Sequence, residues 1–476
     1  MDDRELCYLP ATQALAHFRS RELSPVELLG ALIRRSEEVE PKINAFTERY
    51  FEEALAQAAV AEQRYARRAS DLRLLEGLPV AIKDEPEIAG KRTTQGSLLL
   101  KDFVSERSAY IVERLAEAGA IFHARTATPE FCLLFQTHSR LWGVTRNPWN
   151  LEITPGGSSG GSAASLAAGT SPLASGSDIG GSIRQPASMC GLVGFKPPYG
   201  RVPEVAPINL DPFCHQGPLA RNVADCALMQ NAISGRHPCD IASVREKVEI
   251  PLQHDLDLRG WRVAYSIDFG YVEVDTEVAR NTERALDVLR AQGAVVEEVK
   301  LGWTSRLDRI ALKHWDLMMG GYIRKLAEGR RELLTDYATD YVERVGSYTA
   351  DDLLEEMDVC GELYDQFGPL MERYDVFVCP NATTTDVKAD FNYLHDRITI
   401  NGKEVHPEID VAMNHHFNML SRCPVLAVPS GVASNGVPTG IQIVGKAYDD
   451  VSVFRTAAAL EAAAPRFSGD ATRPAL

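Results

Sequence analysis

Between Thr154 and Gly200 the chain reads TPGGSSGGSAASLAAGTSPLASGSDIGGSIRQPASMCGLVGFKPPYG, a run dense in glycine, serine and alanine. A flexible linker of this richness would be polar and unpatterned. Here Leu166, Leu173, Ile179, Ile183, Leu192, Val193 and Phe195 are interleaved with the small residues. Small residues among core residues mean backbones that approach each other closely. The segment therefore belongs inside a folded core, and the rest of the chain has to be arranged around it.

Two serine clusters lie within it, Gly156-Gly157-Ser158-Ser159-Gly160-Gly161-Ser162 and Gly176-Ser177-Asp178-Ile179-Gly180-Gly181-Ser182-Ile183-Arg184. A serine that attacks an acyl carbon needs backbone N–H groups aimed at the developing oxyanion. Glycines just before Ser182 let consecutive N–H groups turn into one concavity, and Ile179, Gly180, Gly181 and Ser182 are the candidates to supply them. The first cluster also satisfies G-x-S-x-G, the nucleophile elbow of α/β-hydrolases. That motif needs a strand directly before it, and Asn147 to Pro155 makes a poor one. It would also leave the second cluster without a purpose.

A nucleophilic serine needs a base. Eleven histidines are scattered along the chain, none in an evident catalytic context. His415-His416 is the most tempting pair, but neighbours on a helix or strand do not face one site, so a structural or surface role is expected. The alternative base is an uncharged lysine. Leu78-Pro79-Val80-Ala81-Ile82 reads as a buried strand that delivers Lys83 at its tip. The plainer reading of Lys83-Asp84 is an ion pair in a surface turn.

Elsewhere helix and strand signals alternate. Residues 12 to 70 read as helical, with Ser24-Pro25 as a cap followed by proline at the first helical position. Asp275 caps a helix that runs to Gln292 and stops at Gly293. Residues 303 to 374 read as mostly helical with charged faces. Short apolar runs near residues 121, 263, 295, 376, 425 and 441 read as strands. The alternation predicts an α/β fold with a mixed sheet between helical layers.

Composition narrows the partners. Lys plus Arg number 50 against 66 Asp plus Glu, a net charge of −16, which argues against nucleic acid and anionic membrane surfaces. The start is too acidic for a secretory leader, and no apolar run is long enough to span a bilayer. Nine cysteines without paired spacing read as reduced thiols, so a cytoplasmic location is expected.

Gly77-Leu78-Pro79-Val80-Ala81-Ile82-Lys83-Asp84, Thr145-Arg146-Asn147-Pro148-Trp149 and the whole Gly/Ser segment through Gly194-Phe195-Lys196-Pro197 resemble the amidase signature family. The match is strong over about residues 75 to 203 and weaker from Cys423 to Glu461. The resemblance implies the amidase signature fold, a large mixed twisted β-sheet sandwiched between layers of α-helices. On that pattern residues 1 to 72 form a helical region packed on the core, and residues 73 to 476 the signature domain. A helical substrate-pocket insertion falls at about 303 to 374, and the whole is one compact domain.

The resemblance also implies a Ser–cis-Ser–Lys triad. The family's lysine falls on Lys83, its bridging serine, preceded by a cis peptide, on Ser158, and its nucleophile on Ser182. The separations of 75 and 24 residues are those of the family. The oxyanion donors fall on Ile179, Gly180, Gly181 and Ser182. Asp178 and Arg184 fall where relatives carry a structural ion pair. Cys132 and Phe135 fall where relatives line the acyl pocket, and Ser159 is a further substrate-binding candidate. Phe131, Trp142, Trp315, Met318 and Met319 are candidates to complete an apolar pocket.

The activity so implied is hydrolysis of a small or aryl amide through an acyl-enzyme, with neither metal nor cofactor. A carbamate hydrolase and the ammonia-releasing component of a tRNA-dependent amidotransferase share the triad and remain open. Relatives are often dimers, so a homodimer is one expectation. Glu85 departs from the apolar residue many relatives carry there. Facing Lys83 it would favour the charged amine, so it is expected to point away or to be neutralised.

Overall fold

The computed structural model describes residues 1–464 and 473–476. Its centre is a mixed sheet of eleven strands. In chain order these are β1 (Phe46–Arg49), β2 (Pro79–Lys83), β3 (Ile121–Thr126), β4 (Leu173–Asp178), β5 (Val193–Lys196) and β6 (His215–Ala220). They continue with β7 (Arg262–Tyr265), β8 (Val295–Glu298), β9 (Val376–Pro380), β10 (Val425–Val432) and β11 (Pro438–Gly445). The spatial order is β1-β3-β2-β4-β6-β5-β10-β11-β9-β7-β8. Strand β2 runs parallel to both β3 and β4, whereas β4 pairs antiparallel with β6.

Alternation along the strands explains the layers. Val80, Ile82, Val376, Val378, Leu426 and Val428 join one large core together with Leu28, Leu32, Leu286, Leu289, Phe454 and Leu460 from helices. Their neighbours face the other way. Ala81, Ala174 and Ala427 pack on Ala163, Leu166, Ile183 and Ala187, while Phe377, Cys379 and Val425 join a second helical layer. A strand buried on both faces reads as a continuous apolar run, as β2 does. On the alanine side the small side chains admit two short helices, Gly160–Ala167 and Arg184–Met189, close against the sheet.

Local signals hold at several ends. Ser24 forms a capping box with Glu27 ahead of helix Pro25–Ile43. Asp275 caps helix Thr276–Ala291. The stretch from 303 to 374 is mostly helical, with a π-helical turn at Asp316–Gly320. The N-terminal region differs from its expectation. It is not wholly helical, because Phe46–Arg49 breaks from the preceding helix and pairs antiparallel with β3 as the sheet's edge. Asn44 at φ 50° makes the turn. Glu40, buried in that helix, accepts from the N–H groups of Ala45 and Phe46. No helix among the described residues is long and apolar enough to cross a membrane.

Candidate active site

Strand β2 is buried along its whole length and ends on Lys83. The lysine side chain is fully buried. Its Nζ lies 2.7 Å from Ser158 Oγ and 2.9 Å from Ser177 Oγ, and its own N–H donates to Ser175 Oγ at 3.0 Å. Asp84 is not its partner. Pleating turns Asp84 to the opposite side, where it accepts from Thr94 N–H (2.9 Å) and Arg125 (3.1 Å). The surface-turn reading of Lys83-Asp84 is thereby overturned.

Ser158 follows a cis peptide bond from Gly157 and precedes helix Gly160–Ala167. Packing here leaves no room for side chains on the preceding residues. A Cβ on Gly157 would lie 2.5 Å from the Leu134 carbonyl oxygen, and one on Gly156 would lie 2.4 Å from Gln185 Oε1. Ser182 sits in the turn between β4 and helix Arg184–Met189. Its carbonyl accepts from Ser159 N–H at 3.1 Å, so the two serine clusters are stitched together through the main chain.

The turn around Ser182 is built on one carboxylate. Asp178 and Arg184 are both fully buried and paired, Nη2–Oδ1 2.8 Å and Nε–Oδ2 2.9 Å. Arg184 also reaches the Asn414 carbonyl, Gln442 Oε1 and Asn418 Oδ1. Burial opposes ionisation of Asp178, but the Arg184 charge and the hydrogen bonds from Arg184 and Asn418 outweigh it and hold the carboxyl well below its usual range. Asp178 Oδ1 accepts from Gly181 N–H at 2.8 Å and Oδ2 from Ile183 N–H at 3.2 Å. The family pattern puts Gly181 among the oxyanion donors. Its N–H is instead taken by Asp178, because the carboxylate lies inside the same turn.

Beside Ser182 lies a pocket lined by Cys132, Leu133, Leu134, Phe135, Gln136, Ile179, Gly180, Trp315, Met319, Tyr341, Tyr393, Pro407 and Glu408. Cys132 and Phe135 lie in its wall, with Trp315 and Met319 from the helical stretch. Phe131, Trp142 and Met318 do not line it. Phe131 is buried in the core, and Trp142 donates its indole N–H to Thr94 Oγ1 at 2.9 Å. Ser159 does not line it either. Its hydroxyl is buried against the main chain of Ser177, to whose carbonyl it donates at 3.4 Å.

The pocket wall carries an unusual backbone. Phe131 and Cys132 both adopt positive φ, 52° and 61°, a region uncommon for side-chain-bearing residues. Neighbouring contacts hold it there. Glu130 Oε1 accepts from Ser97 Oγ at 2.5 Å, Glu130 Oε2 from Thr335 N–H and Oγ1 at 2.8 and 2.6 Å, and Phe131 N–H donates to the Gln95 carbonyl at 2.8 Å.

Sequence reasoning missed Ser177. Ser175 and Ser177 are two apart on a strand and so share one face, the signal that would have shown both hydroxyls meeting Lys83. It also missed Gln216, whose Nε2 donates to both oxygens of Glu85 at 3.2 and 3.3 Å. The two adjacent histidines depart from expectation. His415 and His416 both approach Asp308 Oδ1, at 2.8 and 3.8 Å, because the chain turns into a short helix at His416. Together with Asp308 they bring candidate metal-ligand atoms within 4.8 Å of one another. The Tyr271 hydroxyl already bonds Asp308 (2.8 Å) and His416 (2.6 Å), closing the group as a hydrogen-bond network.

The amidase family's sequence profile matches residues 27–454. An acylamidase of Rhodococcus erythropolis is 32% identical, covering 98% of this chain and 97% of its own. A glutamyl-tRNA(Gln) amidotransferase component of Carboxydothermus hydrogenoformans is 33% identical, covering 96% of this chain and 97% of its own. In structure, a bacterial aryl acylamidase described as an amidase signature enzyme superposes with a TM-score of 0.90 at 27% identity, covering 96% of each chain. A profile that spans most of the chain, and relatives above 30% identity along nearly all of it, leave one conclusion: this protein belongs to the amidase signature family.

Proposed function

We propose that this protein hydrolyses amides of small apolar or aryl acyl groups, with Ser182 as nucleophile, Ser158 as proton relay and Lys83 as base. The observation that carries the reading is the 2.7 Å contact between Lys83 Nζ and Ser158 Oγ. Every hydrogen bond described for that Nζ goes to a hydroxyl, Ser158 or Ser177, and none to a carboxylate. The uncharged amine takes the Ser158 proton as Ser158 takes that of Ser182, and Ser182 Oγ attacks the carbonyl carbon. The developing oxyanion is met by the N–H groups of Ile179, Gly180 and Ser182, with Gly181 held by Asp178 as the turn's anchor. The relay returns the proton to the departing amine. Water then enters by the same route, and the acyl-enzyme is cleaved to acid and free Ser182.

The pocket favours an acyl group without charge. Leu133, Leu134, Phe135, Trp315, Met319 and Tyr341 give its wall a largely apolar face. The amidotransferase relatives favour a second reading, release of ammonia from glutamine. A free amino acid needs charged partners for its ammonium and carboxylate. The single charged residue lining this pocket is Glu408, and Arg344 already holds both its oxygens at 2.9 and 3.0 Å. The acylamidase reading is therefore preferred.

The test is a hydrolysis panel of anilides, primary amides including glutamine, aryl esters and carbamates, run on wild type and Ser182→Ala. Turnover of anilides well above glutamine, abolished for every class by Ser182→Ala, is expected. Residual turnover in Ser182→Ala comparable to wild type would remove Ser182 from its role. Glutamine as the preferred substrate would reverse the choice between the readings.

A further inference from the structure

The pocket beside Ser182 carries polar groups as well as its apolar face, and their protons are already committed. Glu408 is buried and lines it. Arg344, at the end of helix Asp336–Arg344, donates from Nη1 to Glu408 Oε2 at 2.9 Å and from Nη2 to Oε1 at 3.0 Å. An ionised carboxylate has about four acceptor positions, so this fork leaves about two of them open. Tyr393 also lines the pocket and donates its hydroxyl proton to Asp340 Oδ2 at 2.6 Å. Tyr341 lines it too, with its hydroxyl directed at the Leu133 carbonyl, 3.4 Å away. Each phenol oxygen still accepts after its proton is given.

Measured contacts join these groups. Arg344 Nη1 lies 3.3 Å from Asp340 Oδ2, the atom that takes the Tyr393 proton, and the guanidinium stands 4.4 Å over the Tyr341 ring. Its Nε lies 2.9 Å from Asp316 Oδ1. Glu408, Tyr393 and Tyr341 are thus gathered around one guanidinium, and all three line the cavity that reaches Ser182. Three carboxylates share that single positive charge, so Glu408 keeps part of its own. Burial lifts the Asp316 carboxyl to about 7, with Arg344 opposing and Glu408 and Asp340 adding to the rise. This excess of negative charge refuses an anionic acyl group and favours a donor. The remaining polar side chains do not reverse the balance. Trp315 gives its indole N–H to the Ile179 carbonyl at 3.3 Å, and the Gln136 amide donates and accepts alike.

We propose that Glu408, with the hydroxyl oxygens of Tyr393 and Tyr341, selects acyl groups that carry a neutral hydrogen-bond donor, a hydroxyl or an aryl N–H. The inference rests on the hydrolase reading above and narrows its acyl class to an apolar or aryl body bearing one such donor. An acyl group without the donor covers these acceptors and leaves them unpaired, which is costly. A group with it restores the bond that water would otherwise supply.

The experiment uses anilides of benzoic acids that bear hydroxyl, amino, methyl or fluoro at each ring position. Methyl is close to hydroxyl in size, and fluoro lacks the proton. Each kcat/KM is divided by the rate constant for hydroxide hydrolysis of the same anilide, which removes the substituent's electronic effect. At the best position the hydroxyl compound should exceed the methyl and fluoro ones by about tenfold or more, as expected for a hydrogen bond to a charged acceptor. The hydroxyl-to-methyl ratio should fall several-fold in Glu408→Gln, in which Arg344 keeps Asp316 and Asp340, and toward one in the double variant Glu408→Gln, Tyr393→Phe. A wild-type ratio of one or less at every ring position, with the methyl compound still hydrolysed, overturns the selection and leaves the hydrolase reading standing; this comparison needs no variant. A ratio that the double variant retains overturns it as well. No turnover of any of these anilides overturns both readings together.

Discussion

Gly180→Ala tests how the proposed oxyanion turn and the pocket beside Ser182 share one wall. A Cβ at Gly180 would lie 2.3 Å from Trp315 Cζ2, 3.0 Å from Cε2 and 3.1 Å from Cη2. Ordinary carbon–carbon contact is about 3.5–4.0 Å, so the indole must retreat by roughly 1.2 Å or the turn must move instead. Gly180 does not have positive φ, so the penalty is steric rather than conformational. Trp315 is 5% exposed and donates its indole N–H to the Ile179 carbonyl at 3.3 Å, which leaves it little freedom. Overpacking of this kind costs about 1–3 kcal/mol of stability. Displacing an oxyanion donor costs about 10²–10³ in kcat.

The assay is a double-mutant cycle with Trp315→Leu, which removes the ring atoms in conflict. Denaturant unfolding should show Gly180→Ala destabilising wild type but costing at least about 1 kcal/mol less in the Trp315→Leu background. Turnover lost in Gly180→Ala should partly return in the double variant. Equal penalties in both backgrounds, or a fully active and stable Gly180→Ala, would refute the shared-wall argument.

Lys83→Ala should cost amides more than aryl esters, because amine departure needs the returned proton and phenolate departure does not; equal losses measured in kcat/KM would contradict the relay. Asp178→Asn leaves Arg184 as a buried charge without its counter-ion and should destabilise by about 3–5 kcal/mol in denaturant unfolding. His314 is clamped between Asp211 (3.1 Å) and Glu356 (2.9 Å), contacts that overcome its burial and raise its imidazole to about 9. A raised folded value means the stabilisation is complete below about pH 6.5 and fades as pH climbs through 9. The stability difference between wild type and His314→Gln should therefore shrink by a few kcal/mol over that window, and a difference independent of pH would exclude the charged clamp.

What a chain segment could announce by itself was announced. The apolar run into Lys83, the capping pairs at Ser24 and Asp275, and the alternating elements are written in neighbouring residues, and all reappear in the fold. The family pattern likewise brought Lys83 and Ser158, 75 residues apart, to one place. Contacts between distant segments carried no such local mark. Phe46–Arg49 becomes a strand only because β3 offers an edge to pair with. His415 and His416 meet one carboxylate only because Asp308, 107 residues earlier, is packed against their turn. The Gly181 N–H donates to Asp178 because Arg184 and Asn418 hold that carboxylate, and Arg184 is itself held by Asn414 and Gln442. Ser159 turns inward because β4 passes behind it, and Glu85 gains Gln216 from a strand 131 residues away. Periodicity, caps and turns are properties of consecutive residues. Which hydroxyl reaches a pocket, and which amide stays free, depends on close packing between layers, and only the assembled sheet and its helices decide that.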